Sequence, residues 1–196
     1  MYIPEKFRET DRKALQQLIA DYPFGTLVTL ADGRPFANHI PFIMDGDDLL
    51  CHLAKANPQC GHLRAGKEAL AVFQGPHAYV SPSWYQSAGV PTWNYAVVHV
   101  YGTATAIDQP SDLAGLVERF TRHFESGRAD PWEPDYTEAL LAAIVGVRIR
   151  VTELQGKFKL SQNRPDTDRL RVITRLESAG DPLSLGVARL MRRHAP

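Results

Sequence analysis

The chain has 196 residues, 44% of them hydrophobic and 22% charged, with a formal net charge of zero. That is enough chain to bury one core, with or without a small appendage, and the balance is ordinary for a soluble globular protein. A neutral chain does not hold nucleic acid by bulk attraction, so any DNA contact must come from a local basic patch. Cys51 and Cys60 are the only cysteines, with no CxxC pair and no metal-ligand spacing, as suits a reducing compartment. The opening MYIPEKFRETDRK has no apolar signal core, and no apolar run reaches membrane length. A soluble, unprocessed, cytoplasmic protein is the expectation, with no membrane partner.

In chain order, Thr10 is placed to cap a first helix whose Leu15, Leu18, Ile19 and Tyr22 share a face, and Pro23 stops it. Phe24–Ala31 reads as a strand. Asp32-Gly33, the strongest hairpin signal in the chain, leads into a second strand over Arg34–Met44. Asp45-Gly46 turns the chain into Asp48–Leu53, and Pro58 to Gly66 is a loop or short helix. Ala69–Gln74 and Ala78–Ser81 read as strands on either side of Gly75-Pro76, and Tyr95–Ile107 is the longest clear strand. Ser111 opens a helix with Leu113, Leu116, Val117, Phe120 and Phe124 on one face. A short helix over Thr137–Val145 and a strand over Gly146–Leu154 follow. Asn163–Ser178 and Asp181–His194 read as two closing helices, with Pro165 and Pro182 in first turns and Asp181 as a cap. Early hairpins, peripheral helices and no repeating βαβ order point to an α+β fold with a β-barrel core.

Two segments carry candidate chemistry. Between Tyr79 and Gly102 a loop holds Trp84, Tyr85, Pro91, Trp93, Asn94 and Tyr95, whereas loops usually favour small polar residues. Rings for stacking and an amide for hydrogen bonding suit a planar partner, although a satellite of the core would use the same residues. The second segment is GKFKLSQN, residues 156 to 163. In extended backbone Lys157 and Lys159 point to one face and Phe158 to the other, and Gln162 and Asn163 add amides. Such a cluster holds a phosphate or simply ends a solvated strand. The seven histidines form neither HxH nor HxxxH pairs, so no metal site is expected. GxGxxG, GxxxxGK[ST] and GxSxG are absent, which argues against a Rossmann crevice, a P-loop and a hydrolase elbow.

The segments VSPSWY, VPTWNYxxVHxxG and GKFKLSQN, with HLAKANPQ (His52 to Gln59) and the opening Tyr2, Pro4 and Phe7, resemble the signature stretches of the PaiB family in order and spacing. That family is described as FMN-binding negative transcriptional regulators, within the pyridoxamine-phosphate-oxidase-like flavoproteins. The resemblance spans nearly the whole chain. It implies an antiparallel split β-barrel of the FMN-binding type over 1-163, with peripheral helices and a two-helix C-terminal appendage over 164-196 packed on it. It implies FMN as cofactor and a homodimer whose second subunit completes each site. His39 and Ile40, within Asn38-His39-Ile40-Pro41, would lie along the isoalloxazine through backbone groups. Ala54, Lys55 and Asn57 would sit near the phosphate, Trp93, Asn94 and Tyr95 would approach the flavin, and Lys157, Lys159 and Gln162 would complete the pocket.

Three functions remain open at this point: a flavin-binding negative regulator of transcription, an FMN-dependent oxidoreductase, and a flavin-binding module without catalysis. No catalytic residue stands out. The only local candidate for DNA contact is the C-terminal helix pair. There Arg189, Arg192 and Arg193 share a face opposite Leu183, Val187, Leu190 and Met191, and Arg164, Arg171 and Arg175 extend the ridge. Arginines in a last turn also favour the helix dipole, so a pair of packing helices is the alternative.

Overall fold

Alternation of apolar and polar residues builds a sheet of eight strands, seen in a computed structural model that describes residues 1–194. The strands are β1 (Arg8–Glu9), β2 (Phe24–Ala31), β3 (Arg34–Pro41), β4 (Ile43–Asp45), β5 (Asp48–Ala54), β6 (Glu68–Val80), β7 (Thr92–Ile107) and β8 (Ile144–Lys159). The helices are α1 (Arg12–Asp21), α2 (Gln59–Arg64), α3 (Pro110–Glu125), α4 (Glu138–Ala142), α5 (Asp166–Ala179) and α6 (Pro182–Arg193). Spatial order in the sheet is β3-β2-β6-β7-β8-β5-β4, and β1 pairs with β8. The expected α+β fold with helices at the periphery is what forms.

Several boundaries differ from the sequence reading for identifiable reasons. Asp11, not Thr10, caps α1, its Oδ1 accepting from Lys13 N at 3.0 Å. The strand expected over Arg34–Met44 is interrupted at Phe42, whose ring is fully buried: its N–H donates to Pro23 O at 2.9 Å, one step beyond Phe24↔Pro41, but Pro23 has no N–H to return the bond. Conversely, β6 runs unbroken through Gly75-Pro76. A Cβ at Gly75 would lie 2.7 Å from Leu18 Cδ1 and 3.1 Å from Ala96 O, so glycine is there for close approach rather than for a turn. The helix expected over Thr137–Val145 ends at Ala142, with Thr137 as its cap, and Val145 already belongs to β8. Asp32 and Gly33 take positive φ values of 51° and 77°, the primed turn that an Asp-Gly hairpin requires.

The chain divides into two units. One comprises Tyr22–Phe73 and Val100–Leu154. Its hairpin β2–β3 pairs Phe24 with Pro41 through Ala31 with Arg34, and β5 pairs antiparallel with β8 from Asp48↔Arg150 to Ala54↔Ile144. Leu27, Leu49, Cys51 and Val147 are fully buried there, and Phe42 meets Phe73 edge-on at 5.2 Å. Beneath α3 a second cluster joins Ile43, Leu50, Leu113, Leu116 and Phe120. Each such side chain contributes about 1.5–3 kcal/mol on burial.

The other unit comprises Met1–Asp21, Gln74–His99 and Gln155–Pro196. Here α1 lies against the sheet at two glycines, Leu18 over Gly75 and Leu15 over Gly156. α5 and α6 pack on each other with Val172, Ile173, Leu176, Val187 and Met191 buried, while Asp181 caps α6 through Leu183 N and Ser184 N. Leu183, expected on the buried stripe, is 43% exposed, in the first turn of α6 beside Pro182.

Candidate functional site

Within the first unit, the end of β5 and the start of α2 form a turn in which Asn57 N donates to Ala54 O at 2.9 Å and Lys55 N to Ala143 O at 2.8 Å. Both peptide groups are therefore fixed, while the Lys55 side chain is exposed and has no partner among the described residues. Asn57 is half-buried, its Oδ1 accepting from Gln59 N at 2.9 Å. Across from it on β3, Asn38 Nδ2 donates to Gln59 Oε1 at 2.8 Å and to Asn57 Oδ1 at 3.4 Å. His39 is exposed and stacks at 6.4 Å on Phe24, and Ile40 is half-buried opposite Gly25. β3 ends the sheet order, so one row of its backbone groups has no strand partner among the described residues. The structure thus brings Asn38 and Asn57 together, and it adds a residue that the sequence reading did not single out, Gln59. The signal was present: Gln59, Cys60 and Leu63 fall on one helical face at the start of α2, and all three are buried.

In the second unit the aromatic loop divides. Tyr85 is buried beneath the Arg164 guanidinium, 4.3 Å from its ring centroid, and Trp84 is half-buried. Trp93 is 52% exposed, its ring 6.0 Å from Tyr79 and 6.3 Å from His77. Asn94 is buried, donating to Ser161 Oγ at 2.9 Å and to Met191 S at 3.4 Å, while its Oδ1 accepts from Ser161. That lock holds Ser161 in a left-handed conformation, φ 63°, where a non-glycine residue needs such support. Gln162 spends both ends of its amide on the same turn, accepting from Leu160 N at 2.7 Å and donating to Phe158 O at 2.6 Å.

The alternation expected in GKFK is present, with Phe158 buried and both lysines half-buried. Lys157 Nζ donates to Tyr2 O at 3.1 Å and lies 5.6 Å from the Tyr95 ring centroid. Lys159 Nζ donates to Thr92 Oγ1 and, at 2.6 Å, to Trp93 O. Burial, then the charges of Lys157 and Arg164, push the Lys159 pKa below the ordinary lysine value. Arg164 donates to Ala88 O at 2.9 Å. None of these three cations forms an ion pair among the described residues.

The arginines of the expected C-terminal ridge separate too. Arg171 Nε donates to Trp84 O at 2.7 Å, so it and Arg164 hold the aromatic loop. Arg192 makes a two-point contact with Glu177, at 2.8 and 3.0 Å. Arg189 and Arg193 are exposed and have no partner among the described residues. No helix among the described residues is long and apolar enough to cross a membrane, and no cluster there has the makings of a metal site.

Apart from these polar clusters, a cavity of about 540 Å³ lies in the first unit between β5, α3 and α4, lined by His52, Phe120, Phe124, Trp132 and Tyr136 among others. His52 Nδ1 is buried without a hydrogen-bond partner among the described residues, and burial lowers the pKa of this imidazole.

The fold is the α+β split barrel: the chain superimposes on the FAD and heme binding protein of Mycobacterium smegmatis with a TM-score of 0.69 (22% identity, 89% of this chain and 80% of that one). The flavocytochrome Anf3 of Azotobacter vinelandii gives 0.66 (17% identity, 78% and 69%). Sequence goes further. Residues 1–153 match the family model described as "Putative FMN-binding domain". Protease synthase and sporulation protein PAI 2 of Bacillus subtilis is 37% identical over 97% of this chain and 96% of its own length. An uncharacterized protein of Aspergillus fumigatus is 32% identical over 98% and 97%. The chain belongs to this PaiB-like FMN-binding family, and FMN is the cofactor that membership assigns to it. Within the first unit the donors fit that cofactor: the Lys55 ammonium, without a partner among the described residues, and the Asn57 amide suit a phosphate.

Proposed function

We propose that the protein is an FMN-binding negative transcriptional regulator of the PaiB type, acting as a cytoplasmic homodimer. The observation that carries this reading is the reach of the match to PAI 2. It covers 97% of this chain, and so takes in α5 and α6, which lie beyond the 1–153 flavin-domain match. In this reading residues 1-163 hold the flavin, and 164-196 form an appendage that meets DNA. Bound FMN supplies a redox-responsive ring and a phosphate dianion. Lys55, Asn57 and the amide of Ala54 take the phosphate, and the unpaired backbone edge of β3 at His39 and Ile40 takes the ring. Trp93 and Tyr95, with Lys157 and Lys159, close the site from a second copy of the chain, which would also cover the half-exposed Trp93. Asn94 and Gln162 act one step back, shaping the turn that carries these lysines.

For DNA, Arg189 and Arg193 are the contacts, because Arg192 is already committed to Glu177. The test is binding to the protein's own promoter fragment over a salt series. Changing Arg189 and Arg193 to Gln should flatten the dependence of log affinity on log salt by about 0.9 for each phosphate no longer neutralised. FMN binding and the dimer seen in sedimentation should survive in the same variant. Absence of any wild-type binding at low salt would remove the regulator reading, and a monomer with and without FMN would remove the shared site.

A further inference from the structure

Gln59 is fully buried, and its hydrogen bonds leave no freedom in how its amide is oriented. Nε2 donates to Leu27 O at 3.0 Å and to Phe36 O at 3.3 Å, and lies 3.1 Å from Thr29 Oγ1. Carbonyl oxygens only accept, so this end of the side chain must be the NH₂ and the other end the oxygen. Oε1 therefore accepts from Asn38, 2.8 Å away, which fixes the nitrogen of Asn38 inward. Asn57 is fixed independently, because its Oδ1 accepts from the main-chain N–H of Gln59 at 2.9 Å and faces the second Asn38 hydrogen at 3.4 Å. Two groups are left over, Asn38 Oδ1 and Asn57 Nδ2, and neither has a partner among the described residues. One only accepts and the other only donates.

We propose that Gln59 is a positioning residue that gives the flavin site its polarity. It holds Asn57 as a donor toward the phosphate, beside Lys55, and holds Asn38 as an acceptor for a hydroxyl or N–H of the same ligand. A carbonyl oxygen repels an anion, so Asn38 turns the phosphate away from its own side and the ligand enters in one orientation. This rests on the FMN reading above and adds to it which buried residue sets the preference for a phosphorylated flavin.

The test compares FMN with riboflavin on wild type, Asn57→Asp and Gln59→Met, alongside apo-protein melting temperatures. Asn57→Asp keeps the oxygen that serves Gln59 N but replaces the presented NH₂ by a carboxylate oxygen. FMN affinity should fall by about thirtyfold or more while riboflavin stays within about threefold, since only FMN carries the like charge. Gln59→Met should lower the melting temperature and also shrink the FMN-over-riboflavin ratio by about five- to tenfold, because the Asn38 amide regains rotational freedom and no longer braces Asn57 Oδ1, which keeps only its bond from the main-chain N–H of residue 59. A Gln59 that served packing alone would weaken both flavins equally and leave that ratio untouched. A wild type that prefers FMN while Asn57→Asp keeps the same preference overturns the assignment, whatever the folding of Gln59→Met. A wild type that binds neither flavin overturns the FMN reading itself.

Discussion

Two polar clusters, one in each unit of the chain, hold their side chains by opposite means. Around Gln59 the groups are neutral amides, each fixed by another, and the hub is buried with every hydrogen bond satisfied. Around Lys159 the groups are cations held only by carbonyls, a hydroxyl and aromatic faces. The first arrangement stabilises the chain and is set before any ligand arrives. The second crowds like charge into a partly desolvated place, and in the proposed function the anion of FMN relieves it. Their removal should therefore move stability in opposite directions, even where both weaken the same ligand.

The largest effect is expected where amide and cation adjoin. Replacing Lys55 and Asn57 together by Ala removes charge-assisted bonds of about 1.5–3 kcal/mol each, so FMN affinity should fall about a hundredfold or more. Riboflavin affinity should change far less, and equal losses in a titration of both would place the phosphate elsewhere. Next comes Lys159→Met, expected to weaken FMN about tenfold while the melting temperature of the apo-protein holds or rises. A clear drop in that temperature would mean the cation serves the fold, and the contrast between the clusters would fail.

A pH series sharpens the same point. Lys159 has its pKa lowered, so it sheds its proton at lower pH than an ordinary lysine, and FMN affinity should decline as pH rises through that lowered value. Apo-protein stability should move the other way over the window between the lowered value and the ordinary 10.5, because there the unfolded chain binds more protons. Both trends should vanish in Lys159→Met. The smallest effect is a control outside both clusters. Asp45, bonded first to Arg119 and then to Arg148, has its pKa lowered from 3.8 to about 2. Its contribution is present at pH 7 and disappears as pH falls from about 4 through 2. Allowing for exposure, Asp45→Asn should cost about 1 kcal/mol at neutral pH without touching flavin affinity.

What the sequence discloses follows from how local each cause is. The hairpin at Asp32-Gly33, the cap at Asp181 and the opposed faces of Lys157 and Phe158 were legible because each depends on a few adjacent residues. The break at Phe42 and the continuity through Gly75-Pro76 were not, since both depend on what lies opposite in space: Pro23, which has no N–H to give, for one, Leu18 for the other. Among the candidate residues, the motif around Asn57 could be read, but the closing of Gln59 onto Leu27 and Phe36 joins positions 32 and 23 residues apart. Asn94 carries the same lesson: its amide meets Ser161 and Met191, far along the chain, and is buried instead of facing outward. Arg164 and Arg192 read as a basic ridge in sequence because neither Tyr85 nor Glu177 is near them in the chain.

Whether this chain holds a phosphorylated flavin is tested most directly by calorimetric titration of apo-protein with FMN and then with riboflavin. FMN binding should be stoichiometric and tighter than riboflavin by at least about tenfold, the share that phosphate contacts of this kind supply. Equal affinity for the two, or no heat with either, would contradict the FMN reading.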